Sequence, residues 1–392
     1  MEIKNITVIA SDYPAKGSQN LVFVQQLVHA LIEQGVHINV IAPQSVVHNI
    51  VRKQNFLPIY SKGKTEQGIE YNVYRPYTLS SGNHKLFNKL LFWYNEFVMC
   101  RMVSKIKSDV LYSHFWSSAQ LVYKYALKNK IPLFVACGEG DNALENMVES
   151  KSEEELLLLS SAVTGVVSVS SENKRKCIEF GLAKDNNIEV FPNGVNTSIF
   201  HKMDVHVFKK QLGIKEGDFV IGFVGGFVPR KGPDRIAKAI VKLQDPSIKV
   251  MFIGKPFSGY PYEFDCPGII YKGPLEHKLL PKYVNCVDVL VMPTQKEGCC
   301  NAIVEALAMG IPVISSNGAF NDDILDENNS IRLDPNDVDA IADAIKALKD
   351  DTSRRKRMSE YSLSRHEEYS ISRRAKRIIE FMTMKIRNYD KK

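Results

Sequence analysis

The sequence of 392 residues contains no long hydrophobic run and no regular cysteine framework. No apolar stretch approaches the roughly 18 residues that a membrane-spanning helix needs. The seven cysteines are scattered through apolar segments, and only Cys299 and Cys300 are neighbours. Reduced thiols in a cytoplasmic protein are the simplest interpretation. The N-terminal segment MEIKNITVIASDYP lacks a basic leader and a long apolar core, so it predicts a first β-strand and not a signal peptide.

The motifs of several enzyme classes are also absent. There is no His/Cys cluster at zinc spacing, no Asp-x-Asp signature, no Walker loop and no serine nucleophile elbow. The predicted first βα loop, SDYPAKGSQNLVFV, holds the single glycine Gly17 and not a GxGxxG fingerprint. This argues against a nicotinamide-dependent oxidoreductase.

The net charge of +7 is distributed unevenly. From residue 352 to residue 392 there are 13 Lys and Arg against 5 Asp and Glu, so this tail alone carries 13 − 5 = +8. Because the rest of the chain is close to neutral, the protein is not uniformly basic. This argues against nucleic acid as a partner and leaves room for a local basic surface.

Short β-branched strands alternate with helical patterns along almost the whole chain, which predicts parallel sheets built from βαβ units. The predicted strands of the first half are residues 6–10, 38–42, 110–113, 133–136 and 163–168. The series restarts with residues 219–224, 249–253, 268–271, 289–292 and 312–315. Between the two series lies the turn-rich segment FPNGVNTSIFHK, which places a domain boundary near Asn196.

This pattern predicts an α/β protein of two doubly wound, Rossmann-like domains that face each other across a cleft. We expect residues 1–195 to form the first domain and residues 196–371 the second, with the C-terminal helix of about residues 372–392 packed back on the first. In such domains ligands bind at the carboxyl ends of the strands.

The segment QKEGCCNAIVEALAMGIPVISS carries most of the functional information. It enters a helix from about Asn301, in which Glu305 is the single charge among apolar residues. Such a helix is buried, and a buried carboxylate is costly unless a group pairs with it. Since no basic residue lies within one helical turn, we expect the partner of Glu305 to be another chain segment or a ligand hydroxyl. A lysine of the fold is the structural alternative.

Glu297 precedes Glu305 by eight positions, on the loop at the entrance of this helix. The backbone amides of that entrance favour phosphate, because a helix N-terminus carries partial positive charge. They belong to Gly298, Cys299, Cys300 and Asn301. One carboxylate for a sugar, amides for a phosphate and a second carboxylate for ribose hydroxyls make a coherent nucleotide-sugar site.

EGCCNAIVE resembles the Glu-x7-Glu motif of retaining glycosyltransferases with the GT-B architecture, above all glycosyltransferase family 4. The resemblance covers nearly the whole chain and is strongest over residues 191–323. It implies that Glu305 holds the ribose of the donor nucleotide and that Glu297 contacts the donor sugar. It also implies a reaction without metal or cofactor, in which the nucleotide-diphosphate sugar is a co-substrate.

VIGFVGGFVPRKGPDRIAKAI resembles the Lys-Gly segment of the same family. By that resemblance Lys231 meets the donor diphosphate, where a fixed cation offsets leaving-group charge. Gly226 stands where the family often has arginine, so Arg230 is the candidate for that second charge. The alternative for Arg230 and Lys231 is a solvated position beside a turn. FPNGVNTSIF resembles the hinge motif, with Asn196 where aspartate is common.

Four residues of the first domain are further candidates. The family has a glycine-rich loop at Gly17 that approaches the donor, although any βα turn can contain one glycine. His114 ends the strand of DVLYSHFWSS and matches a family histidine near the donor sugar; a structural histidine is the alternative. CGEGD carries Glu139 and Asp141 where relatives often have a His-Gly turn. These two either contact the acceptor or cap a helix predicted over residues 142–148.

Two amphipathic segments have two interpretations each. In HKLFNKLLFWYNEFVMCRMVSKIK the apolar residues Phe87, Leu90, Leu91, Tyr94 and Val98 share one side of a helix. In the C-terminal helix, predicted over residues 372–387, Ala375, Ile379, Met382 and Ile386 form one stripe. Both predict either packing onto the fold or peripheral contact with an anionic membrane that holds a lipid-linked acceptor.

The sequence therefore predicts a retaining, metal-independent glycosyltransferase of polysaccharide or glycan biosynthesis. It would act in the cytoplasm or on the inner face of the membrane, on a saccharide or lipid-linked acceptor. A nucleotide-sugar epimerase of the same architecture and a non-catalytic nucleotide-sugar-binding partner in an assembly complex are the alternatives. An epimerase would convert its donor without any acceptor.

Overall fold

The computed structural model describes residues 3–15, 21–80, 85–140, 142–256 and 262–389, without the side chains of residues 85–88, 388 and 389. The chain divides into two units. The first consists of Met1–Phe191 together with Arg374–Lys392, and the second of Pro192–Arg373. The chain therefore passes from one unit to the other twice.

The first unit is built on a mainly parallel sheet in the order β10-β9-β8-β7-β1-β2-β5-β4, beside a short β3-β6 pair. Only β4 runs antiparallel to its neighbour, β5. The strands are β1 (Asn5–Ile9), β2 (His37–Ile41), β3 (Gln44–Ser45), β4 (Tyr60–Lys64), β5 (Glu70–Tyr74), β6 (Tyr77–Thr78), β7 (Val110–His114), β8 (Leu133–Cys137), β9 (Val163–Ser168) and β10 (Ile188–Val190).

Helices connect these strands and cover the sheet. They are α1 (Val22–Glu33), α2 (Val46–Val51), α3 (Lys85–Val103), α4 (Trp116–Ala119), α5 (Tyr123–Lys128), α6 (Ala143–Glu149), α7 (Glu153–Ala162) and α8 (Ser171–Glu179). Helix α1 ends before Gly35, which has φ +89° and so takes a left-handed conformation that favours glycine.

The second unit contains a parallel sheet in the order β13-β12-β11-β14-β15-β16. Its strands are β11 (Phe219–Val224), β12 (Ile248–Ile253), β13 (Ile269–Gly273), β14 (Val289–Met292), β15 (Val313–Ser316) and β16 (Ser330–Leu333). Its helices are α9 (His206–Gln211), α10 (Pro233–Leu243), α11 (Leu280–Val284), α12 (Asn301–Ala308), α13 (Val338–Asp350) and α14 (Thr352–Ser364).

Each sheet has one point at which the strand order reverses. In the first unit it lies between β1 and β7, and in the second between β11 and β14. The loops that leave the carboxyl ends of such neighbouring strands diverge to opposite faces of the sheet, which opens a crevice for ligands. The loop after β11 contains Arg230 and Lys231, and the loop after β14 contains Glu297.

The final helix, α15 (Ile371–Tyr389), contributes to the first unit from Arg374 onwards. Phe381 packs edge-to-face on Phe134 and Phe191, at centroid distances of 6.0 and 5.5 Å. Ala375, Met382 and Ile386 are fully buried. The packing interpretation is confirmed for these three residues of the stripe, which the protein already covers, whereas Ile379 is half-buried.

The predicted α/β fold class is confirmed, and the predicted strands of both series lie where β1, β2, β7 to β9 and β11 to β15 are found. The ends differ by one or two residues. The sequence analysis missed β3 to β6, β10 and β16. Strand β4, YSKGK, is an edge strand whose side chains alternate between exposed and half-buried, so it lacks the apolar pattern on which the prediction rested.

Candidate functional site

Three predicted site residues come together at the reversal point of the second sheet. The Lys231 ammonium lies 2.9 Å from Glu297 Oε1, and Arg230 Nη1 lies 3.1 Å from the same oxygen. The Thr294 hydroxyl also donates to Glu297 Oε1, at 3.1 Å. Two cations thus share one carboxylate, and the group keeps a net positive charge that suits an anionic ligand.

Lys231 remains charged although it is largely buried. Burial lowers its pKa, but the neighbouring Cys300 and the Glu297 carboxylate raise it by more, so the pKa lies above its ordinary value. Burial raises the pKa of Cys300 to about 11, against the opposing effect of Lys231. Because Cys300 is then a neutral thiol at neutral pH, Glu297 is the anion that keeps Lys231 protonated there.

The buried side chain of Arg235 joins the two loops that carry this cluster. It donates to the carbonyl of Pro229 at 2.8 Å and to that of Pro293 at 2.6 Å. Gly232 has φ +74°, and a Cβ there would lie 2.4 Å from Arg235 Nη2. Arg235 was not predicted from the sequence. Its position as a charged residue beside the apolar side of helix α10 could have indicated a buried structural role.

Asn193 holds the loop at the start of helix α12. Its side-chain amide donates to the Cys299 carbonyl at 3.1 Å and to Asn301 Oδ1 at 2.8 Å, and its backbone amide lies 3.4 Å from Cys299 Sγ. The first amides of a helix have no intrahelical partner and form its positive end. The sequence analysis treated the segment of Asn193 only as a landmark, whereas the structure shows that it orders the predicted phosphate-binding loop.

Glu305 lies on α12 among apolar side chains and is 8% exposed. Burial raises its pKa, and the nearby His277 lowers it in part. His277 Nε2 is 3.7 Å from Glu305 Oε1, which is too long for a strong hydrogen bond. Within the described parts of the chain, no lysine or arginine forms an ion pair with Glu305. The lysine alternative is therefore not observed.

His277 is a further residue of this site that was not predicted from the sequence. Its ring packs on Phe200 at a centroid distance of 5.4 Å, which orients it beside Glu305. No local pattern links His277, just before α11, to Glu305 on α12, so only the packing of the unit reveals the pair.

His114 ends β7, next to the reversal point of the first sheet. It is buried between Phe23 and Phe115, at centroid distances of 5.5 and 4.6 Å. Burial, reinforced by the positive charge of Arg374, lowers its pKa to about 3. Its Nδ1 has no hydrogen-bond partner among the described residues. His114 is thus a neutral imidazole at physiological pH.

The carboxylate of Glu139 serves a structural purpose. Oε1 accepts from the Trp116 amide at 2.9 Å, at the start of α4, and Oε2 accepts from the Gly138 amide at 3.0 Å. Burial raises its pKa, and these hydrogen bonds oppose that effect. For Glu139, the expected cap of the helix over residues 142–148 is therefore wrong in its target, because Glu139 caps α4. Asp141 and Gly17 lie outside the described residues.

A cavity of about 860 Å³ opens in the first unit beside the carboxyl ends of β1 and β2. Its lining includes Asp12, Gln44, His48, Arg52 and Ser117. The sequence analysis did not predict it, because its walls come from segments far apart in the chain.

Among the described residues, no group of three or more His, Cys, Asp and Glu side chains could hold a metal ion. None of the helices in the described ranges combines the length and the apolar character that crossing a bilayer requires.

Two family models match consecutive parts of the chain. Glycosyltransferase Family 4 matches residues 22–199, and Glycosyl transferases group 1 matches residues 204–365. The first match includes β7 but begins after β1. The second includes both β11 and β14, and with them the cluster around Glu297. The chain therefore belongs to glycosyltransferase family 4, as its Glu-x7-Glu motif predicted.

Several curated relatives are similar in sequence. A D-inositol 3-phosphate glycosyltransferase from Nocardia farcinica is 23% identical over 69% of this chain and 65% of its own length. The capsular polysaccharide biosynthesis glycosyltransferase CapM from Staphylococcus aureus is 29% identical over 49% and 54%. A UDP-Gal:α-D-GlcNAc-diphosphoundecaprenol α-1,3-galactosyltransferase from Escherichia coli is 25% identical over 64% and 69%. The chain thus matches less than two thirds of the first two relatives.

Solved structures share the fold over almost the whole chain. Sucrose-phosphate synthase from Thermosynechococcus elongatus superimposes with a TM-score of 0.75 at 16% identity, covering 97% of this chain and 98% of that one. Anabaena HepE in complex with UDP and glucose gives 0.68 at 12% identity, covering 97% and 100%. These likenesses confirm the GT-B fold class.

Proposed function

We propose that this protein transfers a sugar from a nucleoside-diphosphate sugar to a saccharide or lipid-linked acceptor, with retention at the anomeric carbon and without a metal ion. The observation that carries the proposal is the cluster of Arg230, Lys231 and Glu297 at the reversal point of the second sheet, with the buried Glu305 on the following helix. The printed names of CapM and of the undecaprenol-linked galactosyltransferase support such acceptors.

Charge on the donor diphosphate is met by fixed groups. Lys231 and Arg230 supply positive charge, and the amides of Gly298, Cys299, Cys300 and Asn301 lie at the positive end of α12. Cations that are already in place where leaving-group charge develops stabilise the transition state without reorganisation. Departure of the nucleoside diphosphate is therefore the step that these groups accelerate.

The two carboxylates bind hydroxyls of the donor. Glu305 receives the ribose hydroxyls, which satisfy a carboxylate that is otherwise buried with only His277 nearby. All three contacts of Glu297 with described residues end on Oε1, so Oε2 is the oxygen that faces the donor sugar. His277 acts through Glu305 as a positioning residue.

Proton transfer does not require an acidic histidine. The departing phosphate accepts the proton of the incoming hydroxyl on the same face of the sugar, which gives retention. His114, neutral at physiological pH, offers its unpartnered Nδ1 as a hydrogen-bonding group to the sugar. Gly17 remains a proposed donor contact and Asp141 a proposed acceptor contact.

The acceptor binds in the cavity of the first unit, where amide, hydroxyl, imidazole and guanidinium groups offer partners for a saccharide. Glu139 remains a proposed acceptor contact, since each of its oxygens accepts one backbone amide and keeps a second acceptor position. We place the reaction on the cytoplasmic side of the membrane. All seven cysteines carry free thiols, which supports a reducing compartment.

Thermal shift measurements with UDP-, GDP- and ADP-sugars test donor binding, since a ligand at a hundredfold excess over its Kd stabilises the folded state by about 2.7 kcal/mol. The donor found in this way is then assayed with candidate acceptors, and the anomeric configuration of the product is determined. Conversion of the donor without acceptor would identify an epimerase, and binding without any turnover would identify a non-catalytic partner.

Three substitutions and one control test the location of the site. Lys231→Met is expected to lower kcat by about 10² to 10³, as loss of one charge-stabilising group does, whereas Lys238→Met on the exposed side of α10 leaves it unchanged. Glu305→Gln is expected to raise the donor KM, and His277→Ala to raise it less. An unchanged donor KM in Glu305→Gln would show that the proposed ribose site is wrong.

A further inference from the structure

Exposed apolar side chains concentrate in one region of the first unit. Twelve large ones lie between residues 47 and 97: Val47, Ile50, Val51, Phe56, Ile59, Tyr60, Ile69, Tyr77, Leu90, Trp93, Tyr94 and Phe97. Single exposed apolar residues are ordinary on a protein surface, but concentrations of them mark contact sites. This region is therefore a candidate contact site for another molecule.

Helix α3 carries three of the strongly exposed apolar side chains of this region. Leu90, Trp93 and Phe97 follow each other at spacings of three and four residues, so they share one face, and they are 63%, 58% and 61% exposed. Met99 and Val103 of the same helix are buried. The packing interpretation is therefore wrong for Leu90 and Tyr94; the Phe87 side chain lies outside the described residues.

Helix α2 and the loop after it continue the apolar surface. Val47, Ile50 and Val51 of α2 are exposed, and Phe56 packs against Tyr77 at 5.6 Å. Hydrogen bonds tie the segments together: Ser45 before α2 contacts Ser80 at 2.8 Å, and Asn95 of α3 bonds to both backbone groups of Leu79 at 2.9 Å. Hydrogen bonds therefore connect the start of α2, the residues after β6 and helix α3.

The charges around these apolar residues are almost all positive. Residues 46–60 contain Arg52 and Lys53 and no acidic residue. Residues 85–107 contain five Lys and Arg and a single acid, Glu96, which is paired with Lys124 at 3.1 Å. Aromatic and aliphatic side chains flanked by Lys and Arg match the boundary between the headgroups and the acyl chains of an anionic bilayer.

We propose that α2, residues 53–60, β6 and α3 form a docking surface for an anionic phospholipid membrane. The same segments supply walls of the 860 Å³ cavity, through His48 and Arg52 at α2, Thr78 of β6 and Met99 of α3. Docking brings the cavity next to the lipid surface, where a lipid-linked molecule can enter it laterally. The membrane contact stands independently of the transfer chemistry.

Tryptophan fluorescence tests the proposal directly. The chain has two tryptophans; Trp93 lies on the docking surface and Trp116 is 1% exposed in the core. Phosphatidylcholine vesicles with phosphatidylglycerol are expected to shift the emission to shorter wavelength. Pure phosphatidylcholine is expected to act weakly, and added salt to weaken the effect. In Trp93→Phe the shift is expected to vanish while co-flotation with the vesicles persists.

Paired variants locate the contact. Leu90→Gln combined with Phe97→Gln is expected to weaken vesicle binding by about tenfold or more, and Lys89→Gln combined with Lys105→Gln to weaken binding to anionic vesicles only. The control, Leu157→Gln, changes a residue of α7 that is 71% exposed and outside the docking surface. It is expected to bind like the unchanged protein.

Three outcomes overturn the proposal. One is absence of any Trp93 shift or co-flotation with anionic vesicles at low salt, a result that needs no variant to fold. Another is unchanged binding by the Leu90/Phe97 variant. The last is self-association: if sedimentation shows a dimer that this variant abolishes, and vesicles do not compete for the surface, it is an interface between copies of the chain. Since no donor or acceptor is present, none of these results affects the proposed reaction.

Discussion

Burial determines the protonation of His114, at the end of β7. An exposed histidine has a pKa near 6.5, whereas burial and the charge of Arg374 bring that of His114 to about 3. Between these values the unfolded chain binds a proton that the folded chain does not. The free energy of unfolding therefore falls as the pH drops from about 6.5 towards 3 and is unaffected by this group above about 6.5.

Substitution of His114 by asparagine is expected to reduce this acid sensitivity. Between about pH 7.5 and pH 5 the unfolding free energy of the unchanged protein should fall by about 2 kcal/mol more than that of His114→Asn. Urea titrations at the two pH values measure the difference. His37→Asn, at an exposed position of β2, serves as the control and is expected to behave like the unchanged protein. Equal pH dependence of His114→Asn and the unchanged protein would contradict the assignment.

Glu305 illustrates what single residues reveal in a sequence. Its position as the lone charge in a buried helix is visible in NAIVEALAM, and the structure bears out both the burial and the absence of a neighbouring lysine or arginine among the described residues. His277, by contrast, cannot be recognised from the local sequence, because its role depends on its contact with Glu305, which lies in another segment. Asn193 was missed for the same reason.

At the level of elements, the loop between β14 and α12 depends on a residue of another segment. Asn193 makes two side-chain hydrogen bonds to it, at Cys299 and Asn301. Side-chain bonds of this kind contribute about 1 kcal/mol each and, more importantly, fix the backbone. The position of the helix amides that we assign to the donor phosphate therefore depends on Asn193.

Asn193→Ala is expected to raise the donor Kd by about tenfold and to lower the stability of the second unit only slightly. Titration calorimetry with the donor identified by thermal shift measures this. Asn196→Ala is the matched control, since the Asn196 side chain accepts hydrogen bonds from the amide and hydroxyl of the nearby Ser198. Equal donor affinity in Asn193→Ala and Asn196→Ala would show that the loop does not need this support.

Helices α3 and α15 both carry apolar residues at helical spacing, but the apolar side chains lie in opposite environments. Ala375, Met382 and Ile386 of α15 are buried, whereas Leu90 and Phe97 of α3 are exposed. Periodicity shows which residues share a face of a helix, but not whether the protein covers that face. For this reason the sequence left packing and membrane contact open for both helices.

At the level of the whole molecule, the C-terminal helix belongs to the unit with which the chain begins. Phe381 packs on Phe134 of β8 and on Phe191. Since both tryptophans, Trp93 and Trp116, also lie in the first unit, their fluorescence reports the unfolding of that unit alone.

Phe381→Ala is expected to destabilise the first unit by about 3 to 5 kcal/mol, because it leaves a cavity in the core. The midpoint of thermal unfolding followed by tryptophan fluorescence should then fall by about 10 °C. Met384→Ala, at an exposed position of the same helix, is expected to change stability by less than about 0.5 kcal/mol. Similar midpoints for the two variants would contradict the contribution of Phe381 to this core.

The sequence by itself determined the alternation of strands and helices, the restart of the series after FPNGVN and the buried helix that carries Glu305, because periodicity and turn residues act over a few neighbouring positions. Only the tertiary structure decided that Lys231 and Arg230 share the Glu297 carboxylate, that Glu139 caps α4 and that His277 lies beside Glu305. The reason is physical: strand order and packing bring together residues that are far apart in the chain, and the local sequence does not determine which distant residues will meet.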